Sequence, residues 1–176
     1  MRKVVLYELL SLDGVAEEPS WFMDGGPEVI ENLGRVIGSQ DDVLLGRRTY
    51  DYWAGHWPTS DMEPFASFIN TTPKHVVTSS APANDWANST LVTTPLASYV
   101  ADLKAGPGGD IGIHGSIALA QSLLRARLVD ELRLVVAPVV AGRGRRLFDG
   151  DDELQRLELI DVTSSPNGTL FLAFRA

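Results

Sequence analysis

The apolar positions of this chain fall into two rhythms. Short continuous runs rich in Val, Leu and Ile, bounded by Gly, Ser, Asp or Pro, predict strands over 3–10, 43–45, 74–80, 89–93, 110–114, 132–140, 155–164 and 169–175. Between the earlier runs, apolar residues recur at helical spacing and predict helices over 27–37, 48–53, 62–69, 95–104 and 117–125. The first helix opens on Pro27 and carries Glu28 and Glu31 where the helix dipole favours negative charge. Its Ile30, Leu33, Val36 and Ile37 align in one stripe. Residues 11–27 read as an irregular segment with Trp21-Phe22-Met23 in the middle, and loops of that length are commonly lids or binding segments. Near the carboxyl end, Ser165-Pro166-Asn167-Gly168 joins two strands, and Asn-Gly is a hairpin signal.

Strands that alternate with helices and then give way to a β-rich tail predict a three-layer α/β/α sandwich. Its sheet is mainly parallel and is extended by a C-terminal antiparallel hairpin. No repeat, linker or low-complexity segment interrupts the 176 residues, so one domain over 1–176 is expected. Composition fits a soluble globular protein, with 44% hydrophobic and 22% charged residues. A net charge of −8 argues against a general nucleic-acid or anionic-membrane binder, but leaves room for one small anion site with local arginines. The chain has no cysteine, which excludes disulfides and thiol chemistry. The histidines lack metal-ligand spacing, so no metal is expected, and His56 and His75 read as surface or packing residues. With no signal-like or membrane-spanning apolar stretch, a cytoplasmic protein is the expectation.

Chemistry concentrates where strands end. Asp41-Asp42-Val43-Leu44-Leu45-Gly46-Arg47-Arg48-Thr49-Tyr50 passes from a strand through Gly46 into a helix start, with two cations and a hydroxyl at the corner. Both a phosphate seat and a strand–helix corner with solvated arginines fit these residues. Ser11 to Gly14, Thr78 to Ser80 and His114 to Ser116 end other strands in the same manner, and ligands of open α/β sheets bind outside such carboxyl ends. Thr78, Ser79 and Ser80 suit an adenosine ribose or its 2′-phosphate. The Rossmann fingerprint Gly-x-Gly-x-x-Gly is absent after the first strand, and no Gly-x-Ser-x-Gly elbow marks a hydrolase.

Ser11-Leu12-Asp13-Gly14, Leu44-Leu45-Gly46-Arg47-Arg48-Thr49-Tyr50, Val77-Thr78-Ser79-Ser80, Ile113-His114-Gly115-Ser116 and Leu128-Val129-Asp130-Glu131-Leu132 follow one another in this order. Ala137-Pro138-Val139-Val140-Ala141-Gly142-Arg143-Gly144 completes the set. In this combination the chain resembles the dihydrofolate reductase superfamily. It is most similar to the reductase domain of the bifunctional riboflavin-biosynthesis deaminase–reductase and its free-standing relatives. The resemblance implies an NADPH-dependent reductase of a small-molecule substrate, with a dihydrofolate reductase-like fold. Gly46, Arg47 and Thr49 would hold phosphates, Thr78, Ser79 and Ser80 the adenosine end, and His114, Gly115, Ser116 and Ile117 the pyrophosphate. His114 stands where the relatives usually carry another glycine, and Ala137 where pterin-binding enzymes tend to carry threonine, which makes dihydrofolate an unexpected substrate.

For the substrate half, Asp13 and Glu28 are the candidate catalytic carboxylates, with Asp24 and Glu31 as alternatives to Glu28. A turn role for Asp13 and a helix-dipole role for Glu28 compete with those assignments. Trp21 is the candidate platform for a flat heterocycle, and Arg143, in a turn with Arg145 and Arg146, the candidate contact for a substrate phosphate; a solvated turn is the competing reading. A homodimer through the apolar 132–140 strand is expected from relatives that pair there, the competing reading being a buried central strand. A non-catalytic nucleotide- or flavin-binding protein of the same fold is the alternative function.

Overall fold

A computed structural model describes residues 1–150 and 153–176, with the backbone alone for Met23 and Asp24. The strands are β1 (Val4–Ser11), β2 (Gln40–Gly46), β3 (Lys74–Val77), β4 (Ser89–Val92), β5 (Asp110–His114), β6 (Glu131–Ala137), β7 (Glu158–Ser164) and β8 (Leu170–Arg175). The helices are α1 (Pro27–Ile37), α2 (Arg47–Ala54), α3 (Phe65–Thr71), α4 (Leu96–Ala105) and α5 (Ile117–Arg125), with single 3-10 turns at Ser20–Asp24 and Trp57–Thr59. One sheet runs β4-β3-β2-β5-β1-β6-β8-β7. Its first six strands are parallel, and β8 then pairs antiparallel with both β6 and β7. The expected α/β sandwich with an antiparallel C-terminal hairpin is therefore the fold.

Alternation along β1 builds both cores. Val4, Leu6 and Leu10 enter the cluster that holds Val100 of α4 and Ile117, Leu119, Ala120 and Leu123 of α5. Tyr7 points the other way, into a cluster with Val29 of α1, Val135 and Phe171. Further along that second face, Ile37, Val43, Leu45, Phe65 and Ile69 pack together. The first helix uses Val29 rather than Ile30 for its stripe: Val29 is buried and Ile30 is 48% exposed. Val29, Leu33 and Ile37 are four residues apart and share one helix face, which leaves Ile30 beside it rather than on it.

Pro138 has no N–H to donate, and β6 stops at Ala137 instead of reaching residue 140. This strand lies between β1 and β8, buried along most of its length, so it offers no edge to a partner. The expected pairing surface is corrected accordingly. The free antiparallel edge is β7, where Leu159, Ile160 and Val162 are 53%, 40% and 52% exposed. No helix among the described residues is long and apolar enough to cross a membrane.

The topology places one crevice. The connection from β1 through α1 leads to β2, on the far side of β5, and packs on one face. From β5, the connection through α5 leads to β6, on the far side of β1, and packs on the other. The two connections diverge from the adjacent strands β5 and β1, which is the switch point where open α/β sheets bind ligands. The ladder between them ends at Tyr7 and His114, whereas β1 and β6 stay paired as far as Ser11 and Ala137. Beyond Tyr7, the β5-facing edge of β1 therefore borders a notch.

Candidate functional site

Parallel strands bring their carboxyl ends to one rim. From the outside inward it presents Thr78 to Ser80 after β3, Gly46 to Thr49 after β2, Gly115 and Ser116 after β5, and Ser11 to Gly14 after β1. The predicted phosphate residues are thus brought together. The N–H of Gly46 donates to the Ser116 hydroxyl at 3.0 Å, and the Thr49 hydroxyl donates to the Gly115 carbonyl at 3.4 Å. These bonds lock the starts of α2 and α5 side by side. Neither start has a side-chain cap; the Ile117 N–H donates to the Gly115 carbonyl at 3.1 Å, and the other opening N–H groups of the two helices keep their capacity for an anion.

Gly46 itself takes ordinary extended backbone, with φ −77°. The glycine that the geometry demands is Gly115, at φ +61°, where a Cβ would lie 3.0 Å from the Trp53 ring. Two adjacent uncapped helix starts and a turn with no room for a side chain fit the pyrophosphate of a dinucleotide.

Arg47 sits at the outer end. Its Nε donates to Asp51 at 2.5 Å, and Nη1 donates to the Ser80 carbonyl at 2.8 Å and the Ser80 hydroxyl at 3.0 Å. The Thr78 hydroxyl donates to the Ser80 carbonyl at 2.6 Å and accepts from the Ser80 N–H at 3.1 Å. A guanidinium and two exposed serines, Ser79 and Ser80, thereby face solvent together at the adenosine end of the predicted site.

Other candidates take different places. The Asp13 carboxylate accepts from the Ser11 hydroxyl at 2.7 Å, from Ala141 N–H at 2.9 Å and from Gly142 N–H at 3.0 Å. Those donors hold its carboxyl well below the usual carboxylate range. Arg146 adds Nε to the Asp13 carbonyl at 2.9 Å. Asp13 is a clamp between the first turn and the 141–146 turn, and a carboxylate so engaged is not poised to exchange a proton, which favours its turn role over the catalytic one. On α1 the residues packed into the Tyr7 cluster are Val29, Leu33 and Val36, while Glu28 is half-buried and Glu31 is exposed. The Asp24 side chain lies outside the described residues. Arg143 is exposed and makes no ion pair or hydrogen bond among the described residues, while Arg145 and Arg146 are partly buried.

The His114 side chain points into the core rather than the rim. Its Nε2 pairs with Gln40 Oε1 at 2.7 Å, and its ring lies 5.7 Å from Tyr7, 5.3 Å from Phe65 and 5.9 Å from Phe68. Burial pushes it down to about 3, so it is a neutral packing histidine, and only its backbone stays at the turn. Gly112, one step back on the same face, leaves the space through which Gln40 reaches it. His75 is likewise internal, between Asp42 and Tyr99 at 2.7 Å each.

Two residues inside β1 escaped the sequence reading. Glu8 is 3% exposed, with one carboxyl oxygen lacking a partner among the described residues, and burial pushes it up to about 8. Tyr7 is 4% exposed, its hydroxyl is equally unpartnered, and burial pushes it up. A Tyr-Glu pair inside an otherwise apolar strand was the available signal. Trp21, the predicted platform, also keeps a buried indole N–H without an acceptor.

Comparison with known proteins adds the family. The RibD C-terminal domain family matches residues 2–171. Bacillus subtilis YyaP is 26% identical over 98% of this chain and 94% of its own. A Shewanella sp. PV-4 structure described as a riboflavin biosynthesis protein superposes with a TM-score of 0.79 at 19% identity, covering 98% of each chain. A pyrimidine reductase-like protein of Corynebacterium diphtheriae gives 0.71 at 18% identity, over 99% of this chain and 91% of that one.

Proposed function

The chain belongs to the RibD C-terminal domain family, a reductase-like family, and from that premise we propose that it is an NADPH-dependent reductase of a small flat heterocycle bearing a carbonyl or imine. The observation that carries the reading is the pair of uncapped helix starts locked together by the Gly46–Ser116 bond, over β2 and β5 beside the switch point. When bound, the cofactor would supply the hydride. The chain's own part is to seat the phosphates on the N–H groups that open α2 and α5, to meet a 2′-phosphate with Arg47 and Ser80, and to bury the reacting end beside β1. The pyrimidine reductase-like relative supports the heterocycle.

Titration of tryptophan fluorescence with NADPH tests this directly, because Trp53 lies against Gly115. A saturable signal is expected, followed by NADPH oxidation with one or more carbonyl-bearing pyrimidines or pteridines. Absence of binding at millimolar cofactor sinks the proposal. A second reading, a non-catalytic nucleotide binder, draws on Asp13 being held by the 141–146 turn; tight NADPH binding without oxidation across that panel would establish it.

We also propose a homodimer, formed through the exposed apolar residues of β7 rather than through β6. Sedimentation velocity at tens of micromolar checks it: a dimer is expected, and Val162→Lys should return it to monomer.

A further inference from the structure

Tyr7 combines three features that a packing residue does not need. It ends the β1–β5 ladder opposite His114, so it stands at the floor of the notch. Its ring is buried among Val29, Val135 and Phe171, with Leu9, Phe22, Leu33 and Val36 packed around them. Its hydroxyl has no hydrogen-bond partner among the described residues. A buried hydroxyl left unpaired is destabilising, and phenylalanine would fill the same volume without it. The Ser20–Asp24 turn covers this face through Phe22, and Trp21 on the same turn has another unpaired donor. We propose that the Tyr7 hydroxyl is the donor that recognises the substrate, hydrogen-bonding a carbonyl oxygen of a neutral flat heterocycle.

The surroundings define the ligand's chemistry. The cluster around Tyr7 is hydrocarbon and aromatic, and the adjacent His114 is neutral. An ion placed against these apolar side chains would lose its hydration, so the matching group is uncharged. The hydroxyl stays protonated through the ordinary pH range because burial raises it, and it therefore serves as a donor rather than as a base. Recognition through a neutral donor differs from a carboxylate grip on a cationic or amino-bearing ring, and the helix face opposite Tyr7 offers Val29 where such a carboxylate would need to be. For a ligand to reach the hydroxyl, the Ser20–Asp24 turn has to lift from the face it covers.

This inference rests on the reductase reading for its substrate, but its test does not need the cofactor. Wild type and Tyr7→Phe are titrated with lumazine and with the diamino analogue in which amino groups replace both carbonyl oxygens, each with and without NADPH. Lumazine affinity should fall roughly 10-fold in Tyr7→Phe, the size of one lost hydrogen bond to a buried acceptor, while the diamino analogue binds both proteins alike. Melting of the free proteins should show Tyr7→Phe as stable as wild type or more so. Equal lumazine affinity in the two proteins, no lumazine binding by wild type, or a lower melting temperature for Tyr7→Phe overturns the assignment. Failure of NADPH to bind would overturn the reductase reading alone, since the cofactor-free titration still decides Tyr7.

Discussion

The rim and the strand interior just below it handle polar groups in opposite ways. On the rim, side chains are spent on the protein: Ser116 holds Gly46, Thr49 holds Gly115, and Arg47 holds Ser80. What stays free there is backbone, the opening N–H groups of two helices apart from Ile117, which donates to Gly115. Beneath it, at Tyr7, backbone groups are tied into the sheet and the side-chain hydroxyl is the group left without a partner. A site made of backbone N–H groups accepts whatever anion has the right spacing. Directional side-chain donors in an apolar wall discriminate between rings. One site thus divides into a half that holds and a half that selects, and each half is open to a different kind of mutation.

The largest effect should come from Gly115→Val on the holding half. The residue is at φ +61° and the new Cβ meets the Trp53 ring at 3.0 Å, so a β-branched side chain adds backbone strain to a clash. A loss of about 1–3 kcal/mol of stability is expected from the backbone alone, together with loss of NADPH binding. Thermal melting and a cofactor titration check both. Wild-type NADPH affinity in this variant would remove the α5 turn from the site.

Arg47→Ala is next. If the guanidinium meets a phosphate, cofactor affinity should weaken by about 1.5–3 kcal/mol, and NADPH should lose more than NADH because the adenosine end carries the difference. Parallel titrations with the two cofactors measure it. An equal loss for both would place Arg47 at the pyrophosphate or at the Ser80 loop rather than at a 2′-phosphate.

The same division explains what could be read from the sequence. The fold was legible because strand and helix periods differ, and β5, α1 and α5 fall where the pattern placed them. The rim was legible because turns require particular residues, Gly, Ser, Thr and Arg, at strand ends. Missed or misassigned residues share one property: their role depends on which way a side chain points across the sheet. Tyr7 and Glu8 sit in an apolar run and look like strand residues. His114 looked like part of a phosphate turn, yet the strand's alternation sends its ring to Gln40. Asp13 lay in a recognisable turn, and only the fold brings Ala141 and Gly142 to its carboxylate.

Confined to the interior is a pH effect from Glu8 and His114. Glu8 keeps its proton in the folded chain up to about 8, against 4.5 for an ordinary glutamate. Over that interval the folded state binds the extra proton, so stability falls as pH rises. His114 stays neutral down to about 3, against an ordinary 6.5; there the unfolded state binds the extra proton, and stability falls as pH drops. Each contributes up to about 1.4 kcal/mol per pH unit. Their slopes oppose one another between 4.5 and 6.5, giving a plateau, with Glu8 alone acting from 6.5 to 8 and His114 alone below 4.5. Denaturant unfolding across pH should show that plateau, and Glu8→Gln should flatten the alkaline side. An unchanged alkaline slope in Glu8→Gln would mean the carboxyl is ionised in the folded chain.

Asp13→Asn should have the smallest effect on the site, and that is its value. Asp13 follows β1 on the rim, so position in the chain alone would make it a candidate catalytic acid. Its bonds assign it to the 141–146 turn instead. Asparagine keeps one acceptor oxygen, but its amide nitrogen would face an N–H where the second oxygen now accepts. The turn should loosen, and trypsin, which cuts after arginine, reports on it through Arg143, Arg145 and Arg146. Faster cleavage in this turn is expected, with NADPH affinity and the Tyr7-dependent choice between lumazine and its diamino analogue retained. Abolished turnover at an unchanged cleavage rate would reverse the assignment and make Asp13 part of the chemistry, because a clamp cannot fail without loosening what it holds.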